Sequence, residues 1–61
     1  MIELHEFGDP EEPIAINPAL VAYITPEAKG TKVAFGQHKT ETIMVAEDYK
    51  TVKEAIEGAS R

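Results

Sequence analysis

The stretch TIMVAEDYKTVKEAI, residues 42–56, carries the strongest structural signal in this sequence. Its first residues alternate, with Ile43 and Val45 on one face, and a period of two is typical of a β-strand. Beyond them the period changes, and three apolar residues recur at the spacing of one helix face: Tyr49, Val52 and Ile56. The stretch therefore predicts a strand that leads directly into an amphipathic helix.

Both ends of this helix carry residues that suit helix termini. Asp48 stands where an N-cap belongs, because its carboxylate can accept hydrogen bonds from first-turn N–H groups, and Gly58 favours a C-terminal stop. A helix over residues 49–57 is too short to be stable alone in water. We therefore expect its apolar face to pack on the strands that precede it and to cover the core.

Turn-forming residues divide the rest of the chain into short alternating segments. The dividers are the GDPEEP cluster, Asn17 followed by Pro18, Pro26, and a polar turn after Gly36. Together they predict five strands, at residues 2–7, 13–17, 20–25, 31–36 and 41–46. All connections are short, which favours antiparallel neighbours in a simple up-and-down order. The prediction is a mainly β fold: a small five-stranded antiparallel meander, or an SH3- or Sm-like barrel, with a C-terminal amphipathic helix.

The length and composition restrict how such a fold can be stabilised. The 61 residues allow a single small domain, 1–61, and a chain of this size buries only about 60% of its unfolded surface. No cysteine is present, which excludes disulfides and a zinc site of the finger type. A well-packed core or self-association remains, and we expect a homo-oligomer.

Charge is unevenly distributed along the chain. The net charge is −5, and the acidic excess lies in the first twelve residues, where five acidic residues face no base: Glu3, Glu6, Asp9, Glu11 and Glu12. A chain without a basic stripe is a poor electrostatic partner for phosphates, so nucleic-acid binding is disfavoured. No long apolar run and no signal-peptide pattern is present, which predicts a complete cytoplasmic chain with no membrane insertion.

Few residues of this chain suggest chemistry. His5 and His38 could form a metal site or an acid–base pair with Glu3, Glu6 or Glu41, but a histidine on a strand face or in a turn is more often a surface residue. The sequence holds no nucleophile motif and no glycine-rich phosphate loop. We therefore expect no enzymatic activity, no catalytic residue, no metal ligand and no cofactor.

Four residues are candidates for an interaction surface. Phe7 and Met44 fall on the face opposite the predicted core, and an apolar second face indicates either coverage by the helix or a partner. Lys32 and Lys39 are the lysines that would contact phosphates if the edge of a ring bound nucleic acid. The aromatic residues are spread over separate elements, so they are better explained by packing than as a stacking platform for bases.

Three segments resemble the FlbD-like family of small flagellar-operon proteins: INPALV at 16–21, KVAFG at 32–36 and VAEDYKTVKEAI at 45–56. The resemblance covers nearly the whole chain. It implies the same small β fold and a role associated with motility, and it supplies no catalytic residue.

These observations favour one function and leave a second open. The first is a non-enzymatic structural or protein-interaction module, self-associating and FlbD-like. The alternative is an Sm-like oligomeric module of bacterial or phage origin that binds nucleic acid.

Overall fold

The computed structural model describes residues 1–36 and 41–59. Within them the chain forms five strands, one 3-10 turn at Pro18–Leu20 and one α-helix. The elements are β1 (Ile2–Glu6), β2 (Asp9–Ile16), β3 (Val21–Glu27), β4 (Gly30–Phe35), β5 (Glu41–Val45) and α1 (Tyr49–Ala59). All strand pairs are antiparallel and belong to one sheet. The predicted class, mainly β with a C-terminal helix, is confirmed.

The order of strands in the sheet is β2-β1-β5-β4-β3, which differs from the simple up-and-down order that the short connections predicted. The two local units form as expected, the β1–β2 hairpin and the β3–β4–β5 meander, but the hairpin joins the meander through β1 and β5. Pro10 and Pro13 in β2 explain this choice, because proline lacks the N–H that a central strand needs. β2 and β3 are therefore the two edges.

Several boundaries differ from the sequence prediction. β2 begins at Asp9 rather than at residue 13, so the GDPEEP cluster is mostly strand, and the reversal occurs around Gly8, whose φ of 92° suits glycine. β3 continues through Pro26 instead of ending there. Both differences have one cause: a proline is tolerated in an edge strand, where its missing N–H faces solvent.

The core lies between one face of the sheet and the helix. Its buried members come from β1, β2, β4, β5 and α1: Leu4, Ile16, Val33, Val45 and Val52. Val33, Val45 and Val52 are completely buried. The helix packs against β1, β3 and β4, as expected for the element that covers the core.

The junction between β5 and α1 follows the sequence prediction closely. Asp48 caps the helix, since its Oδ1 accepts a hydrogen bond of 3.0 Å from the backbone N–H of Thr51. Gly58 lies inside α1 rather than ending it. At 11 residues α1 is far shorter than the ~20 that a membrane span requires, and none of the helices that the structure describes can cross a bilayer.

Candidate functional site

An apolar groove of about 410 Å³ lies between the β1–β2 hairpin and β5. It is lined by Glu6, Phe7, Ile14, Ala15, Ile16, Phe35, Ile43 and Met44. Phe7 and Met44, the two apolar residues predicted to form an interaction surface, are neighbours here, because the backbone N–H of Phe7 donates a hydrogen bond of 3.0 Å to the Met44 carbonyl. Both also line the groove together with Ile14, Ile16 and Ile43, which belong to the core or pack against it.

The groove exists because β1 is too short to cover all of β5. Glu6 pairs with Val45, Phe7 bonds to Met44, and the chain then reverses at Gly8 into β2. Residues 41–43 of β5 pair with β4 on one side, while β1 supplies them with no partner in the described register. In this half of β5 the N–H and C=O of Thr42 point to the side of β1, as those of Met44 and Ala46 do, and can accept another strand.

Among the described residues, carboxylates dominate the charge around the groove. Glu6 belongs to its lining, Asp9 is the cross-strand partner of Glu6, and Glu41 lies across from Phe35. All three acidic residues are exposed. No basic residue occurs among the lining residues, and Lys32, the partner of Met44 in the register, is half-buried on β4. The opening of the groove is therefore apolar with an acidic margin.

His5 forms the one ion pair seen among the described residues, with Glu47. The Nδ1 atom of His5 lies 2.7 Å from Oε2 of Glu47, and the backbone N–H of His5 donates a hydrogen bond of 3.0 Å to Oε1. Burial alone would raise the pKa of Glu47, but the hydrogen bonds from the backbone and ring of His5 lower that pKa below its ordinary value. Sequence reasoning considered Glu3, Glu6 and Glu41 as partners of His5 and missed Glu47.

The position of this pair indicates a structural role. His5 is on β1 and Glu47 follows β5, so the pair connects the hairpin to the segment that begins the helix. The hydroxyl Oγ1 of the buried Thr31 also donates a hydrogen bond of 2.9 Å to the Glu47 carbonyl. No cluster of three or more metal-binding side chains occurs in residues 1–36 and 41–59. His38, the other histidine considered for a metal site, lies outside the described residues. Recognising that β1 neighbours β5 would have identified Glu47.

Of the two lysines predicted to contact phosphates, only one belongs to the part of the chain that the structure describes. Lys32 is on β4, and Lys39 lies outside the described residues. Tyr23 and Tyr49 are partly exposed on β3 and α1, on separate elements.

Comparison of the chain with protein-family models, curated proteins and solved structures finds no match. The resemblance to the FlbD-like family therefore remains a hypothesis based on the three sequence segments.

Proposed function

We propose that the protein is a non-enzymatic interaction module that associates with further copies of itself through the edge strand β3. The observation that carries the proposal is the contrast between the two edges of the sheet, β2 and β3. Edge strands present unpaired backbone groups that can pair with another chain, and proteins that stay monomeric protect both of them. In this chain β2 carries proline and charge along most of its length, whereas β3 carries them only at its last two residues, Pro26 and Glu27.

The β2 edge carries several features that prevent pairing. Two prolines interrupt its row of N–H donors, at Pro10 and Pro13. Three exposed carboxylates accompany them, from Asp9, Glu11 and Glu12. Two such edges placed side by side would set like charges against each other, which is destabilising. A second copy is therefore excluded from this edge by repulsion as well as by missing donors.

The β3 edge has neither proline nor charge over its first five residues, and its one irregularity is a register shift between Val21 and Tyr23. Residues 21–25 read VAYIT, with no proline and no charge. Two large side chains are exposed here: Tyr23 within this segment, with 39% of its surface exposed, and Leu20 directly before it, with 62%. Two β3 strands can pair antiparallel about a twofold axis, which brings the same surface of both copies together. The apolar flank would be covered by the same contact.

The size of the chain favours such an assembly. Its accessible surface is 4335 Å², so an interface of ordinary size, about 800 Å² per partner, would cover roughly a fifth of it. A small core benefits most from this additional burial, because a chain of this length buries the smallest share of its surface when folding alone. The resemblance to the FlbD-like family implies a role associated with motility, and we include that role in the proposal.

Native mass spectrometry of the wild-type protein and of Tyr23→Lys tests the proposal. Tyr23 lies across from Ala34 in the register, and the aliphatic part of a lysine can still cover that alanine while its charge disturbs the edge. The matched control is Glu57→Gln, which changes the net charge by the same amount on the exposed side of α1.

We expect the mass spectra to show a discrete oligomer for the wild type and the control, and a monomer for Tyr23→Lys. Circular dichroism should show that the Tyr23→Lys monomer is folded. A wild-type monomer would refute self-association. An oligomer that survives Tyr23→Lys would refute the assignment of the interface to β3. The same spectra report any nucleic acid carried by the protein, which would instead favour the Sm-like alternative.

A further inference from the structure

We infer that the groove between β2 and β5 binds an extended segment of a partner protein, one with apolar side chains and neighbouring lysine or arginine residues. The inference rests on the proposed function, an interaction module, and adds a second surface with a different partner. It depends on three independent properties of the groove: its lining, its bare strand edge and its charge.

The bare edge indicates that the bound segment is a strand. Met44 and Ala46 direct their backbone groups toward β1, and Thr42 directs its N–H and C=O to the same side, where the described pairing gives it no partner and an added strand can bond to it. An added strand satisfies those groups directly, whereas a helix keeps its own N–H and C=O groups paired internally. Three residues of a strand span about 10 Å, which makes the contact short.

The lining indicates what the side chains of that segment contact. Alternate side chains of an added strand point to one face, where they meet Ile14, Ile43 and Phe35 inside the groove and Phe7 at its margin. A volume of about 410 Å³ lies at the small end of the range for ligand pockets, and it accommodates a few aliphatic side chains. The partner therefore needs aliphatic residues at alternate positions.

The charge around the groove indicates a cationic partner. Glu6, Asp9 and Glu41 flank the apolar lining, and no lining residue is basic. Exposed charge pairs of this kind mainly increase the association rate and select among partners. The edge strand proposed for self-association, β3, carries no basic residue over Val21–Glu27 and so does not complement this margin, and we assign the groove to a different protein.

The test uses two labelled nine-residue peptides, one alternating valine with lysine and one alternating valine with glutamate. Fluorescence anisotropy gives their affinities, and NMR chemical shifts locate the binding site. We expect the lysine peptide to bind about tenfold more tightly, the effect of a few exposed charge pairs. Its shifts should concentrate at Phe7, Ile43 and Met44. Methylation of alternate peptide nitrogens should abolish binding, because it removes the strand donors.

Two matched variants separate a specific contact from general attraction. Glu6→Lys should weaken binding of the lysine peptide about fivefold, whereas Glu57→Lys, with the same change of net charge on α1, should leave the affinity nearly unchanged. Equal loss in both variants would overturn the proposal, because it would show attraction to the whole chain. Shifts outside the groove, equal affinity for both peptides, or no binding of the lysine peptide would also overturn it.

The oligomeric state of the same variants distinguishes this proposal from the function on which it rests. If Glu6→Lys dissociates the oligomer, the groove holds a second copy and the assignment to a cationic partner is wrong. If the oligomer persists and no peptide binds, the groove proposal fails while self-association through β3 stands. If the lysine peptide binds a monomeric wild-type protein, self-association fails while the groove proposal stands.

Discussion

Replacement of Val52 by aspartate should unfold this protein. Val52 is completely buried and is the one residue of α1 that belongs to the central cluster, where it joins Leu4, Ile16, Val33 and Val45. An aspartate at this position removes the apolar contact and places a polar, ionisable group among four aliphatic side chains. No side chain of that cluster can donate a hydrogen bond to the new carboxyl group.

The magnitude follows from the burial of this side chain. Loss of a fully buried valine costs about 2 kcal/mol, and burial of a carboxyl group without a partner adds several kcal/mol. The whole free energy of unfolding expected for 61 residues is roughly 3–9 kcal/mol. The expected loss is therefore of the same size as the total. Val52→Ala, by contrast, should lose only about 2 kcal/mol and remain folded with a lower melting temperature.

Thermal denaturation followed by circular dichroism measures both variants. We expect no cooperative transition for Val52→Asp, and a transition lowered by about 8–16 °C for Val52→Ala. Lys53→Asp is the control, since it introduces the same side chain at the next, exposed position of the helix. A cooperative transition near the wild-type temperature in Val52→Asp would refute the docking of α1 on the sheet.

Two further predictions concern the contacts around β5. Gly30→Ala should lower the free energy of unfolding by about 3 kcal/mol or more, because an added Cβ would overlap the carbonyl oxygen of Val45. Gly58→Ala, on the open side of α1, should slightly raise it, and urea denaturation measures both variants. The pKa of Glu47 is lower in the folded state than its ordinary value of about 4.5. The ionised Glu47 carboxylate therefore stabilises the fold fully at a pH above that ordinary value, and this stabilisation is lost as the pH falls through the lower pKa of the folded state. Glu47→Gln should therefore be less stable than wild type by about 1 kcal/mol at pH 7, with a smaller difference at pH 3; equal stability at pH 7 would contradict the role assigned to the His5 pair.

The pair of His5 and Glu47 also shows how a small chain fixes the position of its hairpin. Only Glu6 and Val45 are matched in the register between β1 and β5. The backbone bond of 2.8 Å from Ala46 to the His5 carbonyl and the two contacts of His5 with the Glu47 carboxylate extend this short pairing past the end of the strand. The position of the hairpin relative to β5, and with it the width of the groove, depends on these contacts.

Local patterns in the sequence were sufficient to predict the class of fold. Alternation in residues 42–46 and the change of period at Tyr49 predicted β5 and α1, and Asp48 identified the start of the helix. The same signals predicted five strands and a core with Val45 and Val52 on its inner side. These features can be predicted from the sequence because the alternation of side chains and the capping of a helix involve only a few neighbouring residues.

The arrangement of those strands depends on contacts between residues far apart in the chain, which no local pattern encodes. The alternation of side chains in β1 is equally compatible with pairing to β5 and to β2, or to β2 alone. Pro10 and Pro13 keep β2 at the edge of the sheet, but in the sequence the same prolines indicated a turn. Phe7 and Met44 were identified as unusual residues, but their common groove arises only when β1 stops short of covering β5. The partner of His5 lies 42 residues away and meets it only through that same pairing. Period and capping chemistry thus specify the strands and the helix, whereas the long-range pairing of β1 with β5 builds both the groove and the ion pair.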